Sequence, residues 1–154
     1  MEFKIPEPLK KEHAELHEEL LKATKQPGKT GEAARAVAKL LHPHFVKEEE
    51  FALPPLGMLS PWAEGRVTPN MEELLKMTDR MKAELPQMVR EHHEIIRALK
   101  TLAEAAESEG KPQYARFAEK LMLHAKTEEE VLYPAAILIG EYAKLKLHSP
   151  PAVA

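Results

Sequence analysis

Apolar residues recur along this chain at alternating steps of three and four. That is the period of helices with one buried stripe, and strand-like alternation is nearly absent. The first helical stretch, about 6–25, stops before the turn signal Gln26-Pro27-Gly28. The second, about 31–53, stops at Pro54-Pro55. A Pro-rich segment, 54–69, holds the single Trp62, and Thr68-Pro69 reads as an N-cap followed by proline at the first helical position. An amphipathic stretch with Met71, Leu74, Leu75, Met81 and Leu85 follows, which Pro86 either kinks or separates from a new helix. The third main helix ends near Glu109-Gly110-Lys111-Pro112. The fourth covers about 113–133, and a shorter helix with Ile137, Leu138 and Tyr142 follows Pro134. Pro43 cannot donate to the Lys39 carbonyl, which predicts a kink or local break in the second helix. The tail from His148 through Pro151 reads as loose.

The chain repeats itself. HFVKEEEFALP (44–54) aligns without a gap to HAKTEEEVLYP (124–134), and EHAELHEEL (12–20) resembles EHHEIIRAL (91–99). The offsets are 80 residues (44 to 124) and 79 residues (13 to 92). Two such offsets predict two copies of a helical hairpin, about 6–53 and 86–134, related by an approximate two-fold axis. Two hairpins with short loops make an all-α, antiparallel up-down four-helix bundle, here with an extra helical segment around 70–85 and a short C-terminal helix. The 154 residues fit a single domain, 1–154.

The buried stripes carry the chemistry. They read Leu9, His13, Leu16, Leu20 in helix one and Val37, Leu41, His44, Glu48, Phe51 in helix two. Helix three gives Met88, His92, Ile95, Leu99, Leu102, Ala106, and helix four gives Phe117, Leu121, His124, Glu128, Val131. Each stripe holds a histidine, and helices two and four add a glutamate one turn later on the same face. A buried carboxylate pairs, binds a metal or takes up a proton. Two in one core also repel, and no stripe carries a lysine or arginine. Two divalent cations would compensate, and imidazole with carboxylate suits iron, manganese or zinc. One stripe histidine alone is more often a hydrogen-bonded core residue. Four, with two glutamates ordered by an internal repeat, point to metal.

The other histidines fit less well. His17 lies one turn beyond His13, beside the stripe, and is a candidate additional ligand. His42, His93 and His148 read as surface residues. The rest of Glu48–Glu50 and Glu128–Glu130 reads as solvated face, and Met71, Met77 and Met81 as flexible packing.

Composition narrows the setting. There is no cysteine, which removes disulfides, thiolate metal sites and thiol catalysis. The net charge of −3 gives no general pull toward nucleic acid or anionic membrane. No apolar run approaches the ~20 residues of a membrane span, and the start of the chain lacks a signal-peptide stretch. A cytoplasmic location is the expectation.

The order of His13, then His44 with Glu48, then His92, then His124 with Glu128 resembles the hemerythrin-like HHE family, over about 6–134. The resemblance implies a non-haem di-iron centre with an oxo or hydroxo bridge, both glutamates bridging the ions and the histidines terminal. The oxygen-carrying hemerythrins have a further histidine one turn after the helix-three histidine, where this chain has Ile96. They use seven protein ligands, five of them histidine, so His17 would have to supply the seventh. The pattern looks closer to bacterial HHE proteins linked to nitric oxide or iron–sulfur repair, but it lacks their cysteine. The Glu-x-x-His pairs of ferritin-like enzymes and the His-Glu-x-x-His of zincins are absent.

Two histidines per ion, two bridging carboxylates and a solvent bridge would leave one open position on each ion. Such a site suits a small diatomic ligand, oxygen or nitric oxide, bound for carriage, storage or sensing. A di-iron redox enzyme (oxidase, peroxidase or nitric-oxide handling) and a metal-stabilised structural bundle are the alternatives. No further acid or base stands out beside the site, which favours binding over catalysis. The site is expected toward one end of the bundle, capped by 54–85.

Overall fold

The computed structural model describes residues 3–66 and 70–148, which contain helices and turns and no strand. Helix α1 (Glu7–Thr24) and α2 (Gly28–Lys47) form the first hairpin. The second consists of the C-terminal half of α4 (Met71–Ser108) with α5 (Pro112–Thr127). A 3-10 turn, Pro54–Met58, and the short α3 (Leu59–Ala63) link the hairpins, and α6 (Tyr133–His148) follows α5. The neighbours around the bundle are α1, α2, α4 and α5, with α5 back against α1. Ion pairs fix the directions. Lys47–Glu84 and Glu50–Arg80 join rising positions at and just after the end of α2 to falling ones in α4, and Glu12–His124 and Glu19–Lys120 do the same for α1 and α5. The bundle is therefore antiparallel, up and down. No helix of the described residues is long and apolar enough to cross a membrane.

The hairpin turns follow from local chemistry. Gly110 has φ of 72°, and Lys111 N–H donates to Ala106 O (2.8 Å) while Gly110 N–H donates to Glu107 O (3.2 Å). This paired αL closure ends α4. Pro112 then opens α5 where no N–H is needed. The same turn caps the other hairpin. The Glu109 carboxylate accepts from Lys29 N–H (3.1 Å), Thr30 N–H (2.8 Å) and the Thr30 hydroxyl (2.6 Å), covering free N–H groups at the start of α2.

Neither internal proline breaks its helix. Helix α2 runs through Pro43 and α4 through Pro86 without a break. Both prolines are on exposed faces, so water can meet the carbonyls they leave unpaired. The irregularities fall instead at two π-helical turns, Glu48–Ala52 and Glu128–Leu132. In each, the residue five after the glutamate donates to its carbonyl, Leu53 N–H to Glu48 O and Tyr133 N–H to Glu128 O. Each donor directly precedes a proline, Pro54 or Pro134. A proline ring clashes with the carbonyl four residues back, which favours the wider turn.

That extra residue changes the register. Val131, expected on the buried stripe, is 56% exposed, and Tyr133 is fully buried in its place. Fourth-helix character then continues unbroken into α6, past Pro134. The Thr68-Pro69 cap and the tail beyond His148 lie outside the described residues; His148 itself ends α6.

Two apolar clusters form the core. One joins Leu16, Leu20, Val37, Leu41, Leu99 and Leu121 between the hairpins. The other joins Phe51, Leu56, Met71, Leu74, Met81 and Met88 to Tyr133 and Ile139. The buried histidines and glutamates lie along the helices between them. The site is therefore internal rather than terminal, because the N-terminal half of α4 pairs with α6 and extends the bundle. Gly140 makes that pairing close: a Cβ there would meet Thr78 Oγ1 at 2.3 Å and Thr78 Cβ at 2.6 Å. Trp62 packs on α6 against Tyr142, with ring centroids 5.0 Å apart.

Candidate metal centre

Four helical stripes bring His13, His44, Glu48, His92, His124 and Glu128 inside, and each is at most 6% exposed. Their ligating atoms fall into two groups. One comprises His44, Glu48, His92 and Glu128, and the other His13, His124 and Glu128. Glu128 belongs to both. One of its oxygens is 3.2 Å from His92 Nε2, and the other is 3.4 Å from His124 Nε2 and 3.7 Å from His13 Nε2. Glu48 belongs to one group only, with Oε1 3.6 Å from His44 Nε2. Its other oxygen accepts from the Tyr133 hydroxyl at 2.9 Å. The resemblance implied that both glutamates bridge, but in this geometry Glu128 alone spans the two groups. His17 is in neither group. One helical turn carries it onward around α1, and its side chain is exposed.

These spacings fit metal coordination. First-row ions hold nitrogen and oxygen ligands at about 2.0–2.2 Å, so neighbouring ligands on one ion lie about 2.9–3.6 Å apart. The quoted separations lie in or close to that range. The unpaired atoms fit as well: Glu48 Oε1 and Glu128 Oε2 are buried without a hydrogen-bond partner. Such atoms are costly in a protein interior unless a cation meets them. Burial raises Glu48 well above the ordinary carboxylate range, despite the Tyr133 hydrogen bond. Burial likewise lowers His13, His92 and His124, and takes His44 to about 4. The four imidazoles are thus neutral at pH 7, the form that ligates metal.

An outer layer of carboxylates orients the rings. His44 Nδ1 is 2.8 Å from Glu91 Oε1, His92 Nδ1 is 3.0 Å from Glu129 Oε1, and His124 Nδ1 bonds Glu12. With its Nδ1 tied to a carboxylate, each of these rings turns Nε2 toward the centre. Glu91 is itself gripped by Lys47 (2.7 Å) and Gln87 (3.0 Å). Burial opposes its charge, but the hydrogen bonds from Lys47, His44 and Gln87 hold it at about 2.

These contacts follow the repeat. Glu12 and Glu91 correspond, as do Glu49 and Glu129. The fourth contact is broken: Glu49 is exposed and His13 Nδ1 has no hydrogen-bond partner. His13 instead stacks on Phe45, with centroids 4.4 Å apart. It borders a surface groove between α1 and α2 lined also by Ala14, His17, His42, Phe45 and Glu49.

Two features went unforeseen in the sequence. The sequence puts Glu129 on the solvated face, yet it holds His92. The sequence also showed no titratable group beside the site, yet the Tyr133 hydroxyl lies 3.2 Å from His44 Nε2 and 3.1 Å from His92 Nε2, besides its bond to Glu48. The available signal was the pairing of Tyr133 with Leu53 in the repeat, five residues past each glutamate.

Residues 4–136 match the family model described as the hemerythrin HHE cation binding domain. No curated protein and no solved structure gave a significant match. A match over most of the chain, converging with the buried histidine–glutamate groups, means that the chain belongs to the hemerythrin HHE cation-binding family.

Proposed function

We propose that this chain holds two iron ions through His13, His44, Glu48, His92, His124 and Glu128, and binds a diatomic gas, oxygen or nitric oxide, for carriage, storage or sensing. The supporting observation is the inequality of the two halves. Four histidine and glutamate ligands converge on one side, but only His13, His124 and the shared Glu128 on the other. The poorer half offers fewer protein donors, which leaves more positions to an external ligand. It also borders the α1–α2 groove through His13. His13, His124 and Glu128 would hold iron(II) there, which would supply the electrons for binding a diatomic gas.

The chain's own residues prepare the site. Burial keeps the imidazoles neutral and ready to ligate, Phe45 packs over His13, and the outer carboxylates hold His44, His92 and His124 in aim. Manganese or zinc would satisfy the same donors, so metal identity is part of the test. The buried Tyr133 hydroxyl and the carboxylates on the ring nitrogens favour a second reading, a di-iron redox enzyme, because they can move protons.

Iron-loaded, reduced protein should change its visible spectrum on exposure to oxygen or nitric oxide and recover when the gas is purged. Sustained consumption of peroxide or nitric oxide would favour the enzyme instead. A spectrum inert to all of these would overturn both readings.

A further inference from the structure

We propose that Tyr133 is a fifth protein ligand to the ion held by His44, His92, Glu48 and Glu128, bound through its phenol oxygen. This rests on the metal-binding reading above. The oxygen lies 2.9 Å from Glu48 Oε2, 3.1 Å from His92 Nε2 and 3.2 Å from His44 Nε2. A tyrosine that merely satisfied Glu48 would need one of these contacts. Three of them, two with the histidine nitrogens offered to one ion and one with the carboxylate beside them, place the oxygen within that ion's donor set. The 3.1 and 3.2 Å distances to the nitrogens match the edge expected between ligands on one first-row ion.

Local structure keeps the oxygen there. The π-helical turn Glu128–Leu132 brings Tyr133 inward, and it is fully buried in the apolar cluster that includes Phe51, Met88 and Ile139. On loading, the hydroxyl proton leaves for solvent and the phenolate oxygen forms the new bond to the ion. Metal sites commonly release protons in this way. The repeat-related residue is Leu53, which has no donor atom. Tyrosine ligation therefore makes the centre unsymmetrical, closing the His44–His92 half and directing external ligands to the His13–His124 half.

The test is optical and needs no turnover. Wild-type protein loaded with iron and oxidised should show a phenolate-to-iron(III) charge-transfer band in the visible. Raman scattering excited in that band should be enhanced at tyrosine ring modes. Tyr133→Phe keeps the buried ring, and should keep its iron while losing the band. Resonance Raman of the wild type reads the ligand directly, whatever the variant's folding. Two irons per chain without tyrosine modes, or a band that survives in Tyr133→Phe, would overturn the proposal while sparing the di-iron reading. A wild-type protein that takes up no iron would overturn both.

Discussion

Glu91 and His44 meet across the α2–α4 interface, with Glu91 Oε1 2.8 Å from His44 Nδ1. Lys47 fixes the other Glu91 oxygen at 2.7 Å. The carboxylate thereby sets the tautomer and aim of an imidazole whose Nε2 faces the centre. Losing such a partner typically weakens metal binding by about 10–100-fold. Glu91→Ala should weaken the tighter of the two binding events by that factor in competition with a chromophoric chelator. An unchanged affinity would show that α2 packing alone orients the ring.

Glu48 is fully buried with Oε1 unpartnered, so it stabilises the fold only when a cation is present. Glu48→Gln should raise the thermal midpoint of metal-free protein at pH 7, because a neutral amide avoids the cost of burying the carboxylate's charge. The same variant should lose occupancy in the His44–His92 half. A less stable metal-free variant would mean that Glu48 is satisfied without metal.

The close approach of α4 and α6 at Gly140 leaves no room for a methyl group beside Thr78. Gly140→Ala should cost about 1–3 kcal/mol through overpacking, read as a lower thermal midpoint. Thr78→Ala should recover part of that loss by freeing the space. An unshifted midpoint for Gly140→Ala would contradict the packing described.

Glu109 caps α2 from the other hairpin. Hydrogen bonds from the Thr30 hydroxyl, then from the Thr30 and Lys29 N–H groups, hold it at about 2, below its ordinary 4.5. A depressed carboxylate stabilises the fold above its unfolded value and loses that effect as pH falls toward its folded value. Glu109→Gln should therefore lower the thermal midpoint at pH 7, and the gap from wild type should narrow by pH 3. A gap that stays constant or widens on acidification would remove the charged cap.

Much of the candidate site was legible in the sequence because its histidines and glutamates occupy regular positions on helical stripes. His44 and Glu48, or His124 and Glu128, share a face whenever the backbone is helical. The repeat that relates them also indicated the two hairpins. Reading failed where the backbone left regular geometry. The π-helical turn at Glu128–Leu132 moved Val131 outward and Tyr133 inward, a one-residue shift that a fixed period of 3.6 cannot supply. The outer carboxylates were hidden for another reason. Glu12, Glu91 and Glu129 lie at the stripe edges, where their sequence looks like any solvated helix face, and only packing brings them to a ring nitrogen. His17 shows the reverse, a residue near the stripe by spacing but exposed on the folded helix.

The most direct test of a two-ion centre is metal content per chain after anaerobic iron loading, compared between wild type, His13→Ala and His44→Ala. Wild type should hold two irons. Each variant should retain one, because the proposal assigns the two histidines to different ions, with Glu128 in both groups. A wild-type chain that folds and holds no stoichiometric metal, or variants that still hold two, would contradict the centre described here.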